Sequence, residues 1–418
     1  MSGAYVDEEE PRSGPRAWAS GVAGLLDRPL TSYYLVLGSS LLLLALGMVM
    51  VLSASSVRQY QNTGSAFTLF EKQALWVGIG LPLMWLAARL PAKTFRTAAY
   101  PLMLLSALAL AVALTPGLGQ SANGAQRWIS FGGPFQLQPS EPAKLALVLW
   151  GADLLARKEK LRQLTDWRQL LIPLLPGTGV LVLFIMLGSD LGTTMVLLII
   201  FLSLMWVVGA PGRLFVGMAG LTSVLVAILI LVEPYRLARL TGFLDQSGNQ
   251  LTTNYQGLQG LYAIASGGVL GTGLGEGRAK WNYLPHPETD FIFAIIGEEL
   301  GLIGTLIVLG LFGVLAYAGL RIARRVKDPF MRLAASGATA WLIGQAIINI
   351  GAVIGVLPIT GIPLPLVSYG GSALIPTLFV LGMLLSFAKR EPGARQALAA
   401  RGPGPAVMAL SWLGLAKR

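Results

Sequence analysis

Long apolar runs recur along this chain, and they constrain it more than any single motif. Residues 33–53 read YYLVLGSSLLLLALGMVMVLS without one charge. A helix needs about 20 such residues to cross the ~30 Å hydrocarbon core of a bilayer. Hydrophobic residues make up 54% of the chain and charged residues only 12%, where a soluble domain carries about 25%. The expected fold class is therefore all-α: a polytopic membrane protein.

Ten spans are expected, at about 33–53, 72–89, 97–114, 141–156, 169–187, 190–208, 214–232, 290–319, 333–356 and 371–388. The basic loops at 89–96, 157–168, 213, 321–332 and 389–390 all fall on one side when the spans alternate. Positive charge favours the cytoplasmic side, so both termini are expected there. The net charge of +11 is then explained by those loops, and no nucleic-acid partner is expected. A tail over 1–30, acidic at Asp7–Glu10, and a second over 391–418 are expected to be disordered and cytoplasmic, flanking a membrane domain over 31–390. No cleavable signal peptide is expected, because the first apolar run is too long. Cysteine is absent, which excludes thiol and disulfide chemistry.

The outward segments 54–71, 115–140, 233–289 and 357–370 hold the chemistry. Residues 233–289 form a long extracytoplasmic loop between spans 7 and 8. Arg236 and Arg239 share one helical face there. They either chelate a phosphate or diphosphate or snorkel to lipid headgroups. The glycines at 267, 268, 271, 273 and 275 form no dinucleotide fingerprint, since no strand precedes them. They suit close backbone packing, an anion nest or a flexible loop. The stretch before them, YQGLQGLYAIASGG, suits a re-entrant or surface-lying helix with Tyr255, Gln256 and Gln259 on its polar side.

Asp290 opens span 8 at the bilayer edge. It is a candidate helix cap and equally a candidate general base, its basicity raised by desolvation. Glu298 and Glu299 lie two turns deeper, where unpaired acids are costly; pairing with Lys144, Arg127 or a polar group on span 9 is expected ahead of a metal or proton role. Asp190 reads as a cap of span 6. Glu141 and Lys144 are spaced i,i+3 and are expected to pair. Asn349 lies in a glycine-rich stretch of span 9, and Ser368 and Tyr369 sit in a possible pocket wall.

These motifs resemble, over nearly the whole chain, the SEDS family (shape, elongation, division and sporulation) of peptidoglycan glycosyltransferases. The residues that carry the resemblance are Gly124-Ala125-Gln126-Arg127-Trp128, Gln138-Pro139-Ser140-Glu141 with Lys144, Asp190-Leu191-Gly192-Thr193, Tyr235-Arg236 with Arg239, and Tyr255-Gln256 with Gln259. They continue through Gly273-Leu274-Gly275, Thr289-Asp290-Phe291 with Glu298-Glu299, and Ser368-Tyr369-Gly370-Gly371-Ser372. NGAQRWISFGG and GLGEGRAKWNYLP look more like the division member than the elongation member.

The resemblance implies polymerisation of lipid II outside the cytoplasmic membrane, at the septum, with release of undecaprenyl diphosphate. It implies Asp290 as the base. It puts Arg236 and Arg239 near the diphosphate, where Lys280, Arg127, Tyr255, Gln256 and Gln259 are further candidates for substrate contact. It allows a divalent cation (Mg or Mn), with ligands unknown, and implies no nucleotide or redox cofactor. Its implied partners are lipid II, lipid-linked glycan, membrane lipid, a class B penicillin-binding protein acting as transpeptidase, and other division proteins. The chain departs from the family pattern at His286-Pro287-Glu288 and at Ala373. A lipid II flippase and a non-catalytic division scaffold are the competing readings.

Overall fold

The computed structural model describes residues 28–115, 119–122, 125–130, 136–161, 167–218, 220, 255–394 and 396–397. The helices, numbered along these residues, are α1 (Thr31–Thr63), α2 (Thr68–Ala87), α3 (Ala92–Ala113), α4 (Ser140–Lys160), α5 (Trp167–Leu171), α6 (Leu174–Leu187), α7 (Leu191–Val208), α8 (Tyr255–Gly267), α9 (Ile292–Arg325), α10 (Pro329–Val353) and α11 (Gly371–Ala388). Among the described residues, α1, α3, α7, α9, α10 and α11 are long and apolar enough to cross a bilayer. The chain is thus an all-α polytopic membrane protein, with six such spans among the described residues. The expected spans 2 and 4 appear as α2 and α4, which carry charge of their own, and span 5 is split at Pro173 into α5 and α6. Most of the expected span 7, with Arg236 and Arg239, lies outside the described residues.

Packing puts α10 and α11 at the centre. They contact α4, α7, α9, α2 and α1, and most of their side chains are buried. The α3 and α9 helices lie at the periphery and expose Leu104, Leu105, Leu108, Leu302, Leu306 and Ile307. In a spanning helix such a face meets lipid.

Two departures from expectation shape the site. The first helix does not stop near residue 53 but runs on to Thr63. Its 33 residues make a rod of roughly 50 Å, so it projects past the ~30 Å hydrocarbon layer. The projecting turns are polar, and Asn282 Nδ2 donates to Gln61 Oε1 there at 3.1 Å. The second departure is a small three-stranded antiparallel sheet in the outward segment 115–140 of a chain expected to be all-α: β1 (Gly119–Ala122), β2 (Ala125–Ser130) and β3 (Gln136–Leu137), in that order. Gly119 pairs with Ile129, and Ile129 pairs with Leu137.

The ninth helix is broken at Gly301, whose φ of 67° and ψ of −163° are not helical. The glycine-dense segment after α8 fills the break. Thr272 and Gly273 N–H donate to the Glu298 and Glu299 carbonyls at 2.9 and 3.0 Å, and Leu302 N–H donates to the Gly268 carbonyl at 3.0 Å. A Cβ on Gly267 would strike the Gly297 carbonyl, and one on Gly271 the Glu299 carbonyl. These two glycines are required for close backbone approach.

Candidate active site

Asp290 sits half-buried in the turn before α9. It does not occupy the cap position of that helix, which is Phe291. The backbone around Asp290 is fixed from the opposite wall. Three consecutive carbonyls accept hydrogen bonds from it: Glu288 from Tyr369 N–H at 2.9 Å, Thr289 from Ser368 Oγ at 2.6 Å, and Asp290 from Asn349 Nδ2 at 2.9 Å. Asn349 Nδ2 also donates to the Ile362 carbonyl at 2.7 Å, and Leu364 N–H donates to Ser368 Oγ at 2.8 Å. The Asp290 turn and the 357–370 loop are therefore stitched into one wall. Gly361 lies against the carboxylate: a Cβ there would be 3.7 Å from Asp290 Oδ2, and its φ of +72° suits glycine alone.

That wall rests on α10, α4 and α7. One turn from Asn349, Gln345 Nε2 donates to the Pro363 carbonyl at 2.9 Å. Gln345 Oε1 in turn accepts from Lys144 Nζ at 2.9 Å and from Trp341 Nε1 at 2.9 Å. Lys144 is fully buried and pairs with Glu141 at 2.8 Å, as their spacing predicts. A buried ammonium persists only when paired and hydrogen-bonded. Asp190 caps α7, accepting from Thr193 N–H at 3.0 Å and from Thr193 Oγ1 at 2.8 Å. It also takes a bond from Gln138 Nε2 at 3.2 Å, and Arg127 lies 3.9 Å away. Gly192, in the first turn of α7, abuts the loop: its Cβ would lie 2.8 Å from the Thr360 carbonyl. Arg127 and Asp190 thus flank the far side of the segment that touches Asp290.

The first turn of α8 closes another side. Tyr255, Gln256 and Gln259 are half-buried there. Gln256 Nε2 reaches the Pro285 carbonyl at 3.2 Å, and Gly260 lies against the Phe291 ring. Glu288 faces Arg58 of the projecting α1 at 3.5 Å. Burial first, and the Glu288 charge second, push the Tyr369 hydroxyl above its ordinary range, so it remains a neutral donor.

Glu298 and Glu299 form a separate polar knot beneath α8, and their partners differ from those expected. Glu298 accepts backbone N–H groups of Arg278 at 2.7 Å and Ala279 at 3.2 Å. Glu299 pairs with Lys280 Nζ at 2.9 Å and accepts from Ser53 Oγ at 2.6 and 2.7 Å. Lys280 Nζ also donates to the Gly275 carbonyl at 2.6 Å. Lys144 and Arg127 are engaged elsewhere. Lys280, expected beside a diphosphate, is buried in this knot.

Sequence reasoning missed four supporting groups: Ser53, Arg58, Gln345 and Gln73, whose amide meets the Ser368 carbonyl and Gly370 N–H at 3.5 and 3.4 Å. For Gln73 and Gln345 the signal was available: each is a polar side chain inside an expected span, and such residues mark functional interiors. Ser53 carried it only weakly, as the last residue of its expected span, and Arg58, outside every expected span, carried none.

A family model described as "Cell cycle protein" (FTSW_RODA_SPOVE) matches residues 33–392. The chain is 44% identical over 390 residues to the "Probable peptidoglycan glycosyltransferase FtsW" of Mycobacterium tuberculosis, covering 93% of this chain and 72% of that protein. It is 39% identical over 352 residues to stage V sporulation protein E of Bacillus subtilis, covering 84% and 95%. Among solved structures, a chain of a peptidoglycan synthase complex that coordinates polymerization and crosslinking superposes with a TM-score of 0.70 at 32% identity, covering 85% of this chain and 96% of that one. The rod shape determining protein RodA of Thermus thermophilus gives 0.61 at 29% identity, covering 88% and 99%.

Proposed function

The chain belongs to the FTSW_RODA_SPOVE family of SEDS proteins, and from that membership together with the wall around Asp290 we propose how its site works. It is a membrane-embedded peptidoglycan glycosyltransferase that polymerises lipid II into glycan strands. Asp290 is the general base. It takes the proton from the 4-hydroxyl of the acceptor N-acetylglucosamine of lipid II as that oxygen attacks the anomeric carbon of the lipid-linked donor. The new glycosidic C–O bond forms, the C–O bond to the diphosphate breaks, and undecaprenyl diphosphate leaves with the electron pair.

One observation carries this assignment. The three carbonyls at 288–290 are bonded in succession to Tyr369, Ser368 and Asn349. A backbone held this firmly aims a side chain, and well-aimed groups contribute most of the catalytic advantage of proximity. Tyr255, Gln256 and Gln259 border the same turn, Arg127 lies on the far side of its wall beside Asp190, and all four are assigned to sugar or diphosphate contact. Arg236 and Arg239 are assigned to the diphosphate by resemblance alone. Lys144, Glu141, Asp190 and Gln345 support the wall from below.

Among the described residues no three carboxylate or imidazole groups gather into a ready-made metal site. Asp290 would hold Mg or Mn together with diphosphate oxygens of the substrate, oxygen donors of the kind such ions favour. A cation held so would offset the charge developing on the leaving diphosphate.

The site faces the outer surface of the cytoplasmic membrane, by the positive-inside sense of the basic loops. The division septum and a class B transpeptidase partner complete the proposal, by likeness to FtsW. The experiment uses purified protein, that transpeptidase and lipid II. Polymer forms with the native chain and is absent with Asp290→Asn. Polymer that persists in the variant, with contaminating polymerases excluded, sinks the base assignment; translocation of lipid II without polymer favours a flippase.

A further inference from the structure

At the end of the bundle opposite Asp290 a cavity of about 630 Å³ opens between α3, α4, the start of α10 and the residues that follow α11. Four cations line it: Lys93, Arg96, Arg157 and Arg390, with Tyr100 and Asp328. A positive-inside bias alone would scatter basic residues over loops. Here two of them are built into place. Asp153, fully buried in α4, pairs with Arg96 Nε at 2.8 Å and with Arg157 Nε at 2.7 Å. One carboxylate therefore orients two guanidiniums, each through its Nε. Among the described residues, their terminal nitrogens have no protein hydrogen-bond partner. Aromatic rings steady both heads: Arg96 lies 5.4 Å from the Phe330 ring centre and Arg157 5.3 Å from that of Tyr100.

The charge does not cancel. Asp153 offsets one of its two arginines. Asp328 is occupied in capping α10, accepting from Phe330 and Met331 N–H at 2.8 and 3.2 Å. Lys93, exposed at the rim, adds to the excess. Paired guanidiniums with free ends match the oxygens of a phosphate. The surface leading away from the cavity is equally specific. Along α3, positions 96, 100, 104 and 108 follow at four-residue spacing and so share one face. Tyr100, Leu104 and Leu108 on it are exposed. A cationic pocket thus continues directly into an apolar stripe, the profile of an amphiphile with an anionic head.

We propose that this pocket holds the phosphate headgroup of an anionic phospholipid, its acyl chains lying along Leu104 and Leu108. The site is remote from Asp290 and separate from substrate binding. Basic pockets between helices at a membrane surface suit such headgroups.

The test titrates full-length protein in detergent with phosphatidylglycerol, phosphatidylcholine and inorganic phosphate, reading bound lipid by native mass spectrometry. Wild type retains phosphatidylglycerol in preference to phosphatidylcholine. The triple variant Arg96→Gln/Asp153→Asn/Arg157→Gln removes both cations without stranding the buried acid, and it weakens phosphatidylglycerol binding roughly tenfold. Lys93→Gln, an exposed residue outside the Asp153 cluster, weakens it about fivefold and keeps the test decisive where the triple variant folds poorly. Equal phosphatidylglycerol retention in wild type and Lys93→Gln overturns the proposal. Binding of inorganic phosphate with no preference between the two lipids overturns its lipid source.

Discussion

Replacing Lys280 by methionine separates two roles that the sequence leaves superposed. By resemblance Lys280 is a diphosphate contact; by geometry its ammonium is buried against Glu299 at 2.9 Å. At that separation the attraction is about 6 kcal/mol for an effective dielectric near 20. The desolvation of two ions, several kcal/mol each, offsets most of it. The intact pair thus contributes little net stability, but a broken pair costs much. Lys280→Met leaves Glu299 charged and buried, with only Ser53 Oγ to bond it, and should destabilise the protein by about 3–5 kcal/mol. The double variant Lys280→Met/Glu299→Gln removes both charges and keeps an acceptor for Ser53. It should recover most of the lost thermal stability and most of the polymer yield from lipid II. Thermal unfolding of the purified protein and a gel assay of glycan polymer read the two effects separately. A double variant that is stable yet inactive would refute the structural reading of Lys280. So would a single variant as stable as wild type.

Asn349→Ala removes the donor shared by the Asp290 and Ile362 carbonyls and should lower kcat on the order of 100-fold with little change in KM; polymerisation kinetics within twofold of wild type in a folded variant would show that Asp290 needs no such anchor. Ser368→Ala strands the Leu364 N–H and the Thr289 carbonyl and should cost about 1–3 kcal/mol of stability, read as a lower Tm, with a fall in polymer yield beyond what the lower Tm explains. Gly301→Ala forces a side chain into a backbone conformation that glycine alone adopts readily, against Gly271 N, and should lower Tm sharply; Gly310→Ala, on the same helix with open space around it, is the control and should leave Tm unchanged or slightly raised.

The apolar spans were legible because bilayer thickness imposes a length that local composition reveals. The eleventh helix shows this best: Gly370-Gly371 and Lys389-Arg390 punctuate it, and its bounds, Gly371–Ala388, agree with those read from sequence. The same rule misjudged α1, whose last turns, SASSVRQYQNT, leave the hydrocarbon but remain helical. Their stability comes from docking on 282–299, through Ser53, Arg58 and Gln61, and no local pattern encodes a partner more than two hundred residues away. The small sheet did carry a local signal. Asn123-Gly124 between its first two strands is a strong hairpin dipeptide, easily passed over in a chain dominated by helical spans.

The candidate site divides along the same line. Burying an acid in a spanning helix demands a partner, so the sequence sufficed to require one for Glu298 and Glu299. It did not suffice to choose one. Glu298 is satisfied by two backbone N–H groups that carry no residue identity at all. Glu299 takes Lys280, which becomes available only because glycines at 267, 271 and 301 let the 267–280 segment fold into the broken helix. Read alone, the glycines at 267 and 271 suited close backbone packing, an anion nest or a flexible loop, and the first of these is what the fold uses. Their demand is steric: each lies where a Cβ would meet backbone. The stretch that seemed to supply ligand contacts instead supplies the geometry that buries a lysine, and that lysine neutralises an acid directly beneath α8, whose first turn borders Asp290. A glycine-rich motif beside a catalytic carboxylate can therefore act on catalysis through packing, and its substitution should be read first as a change in where Lys280 sits.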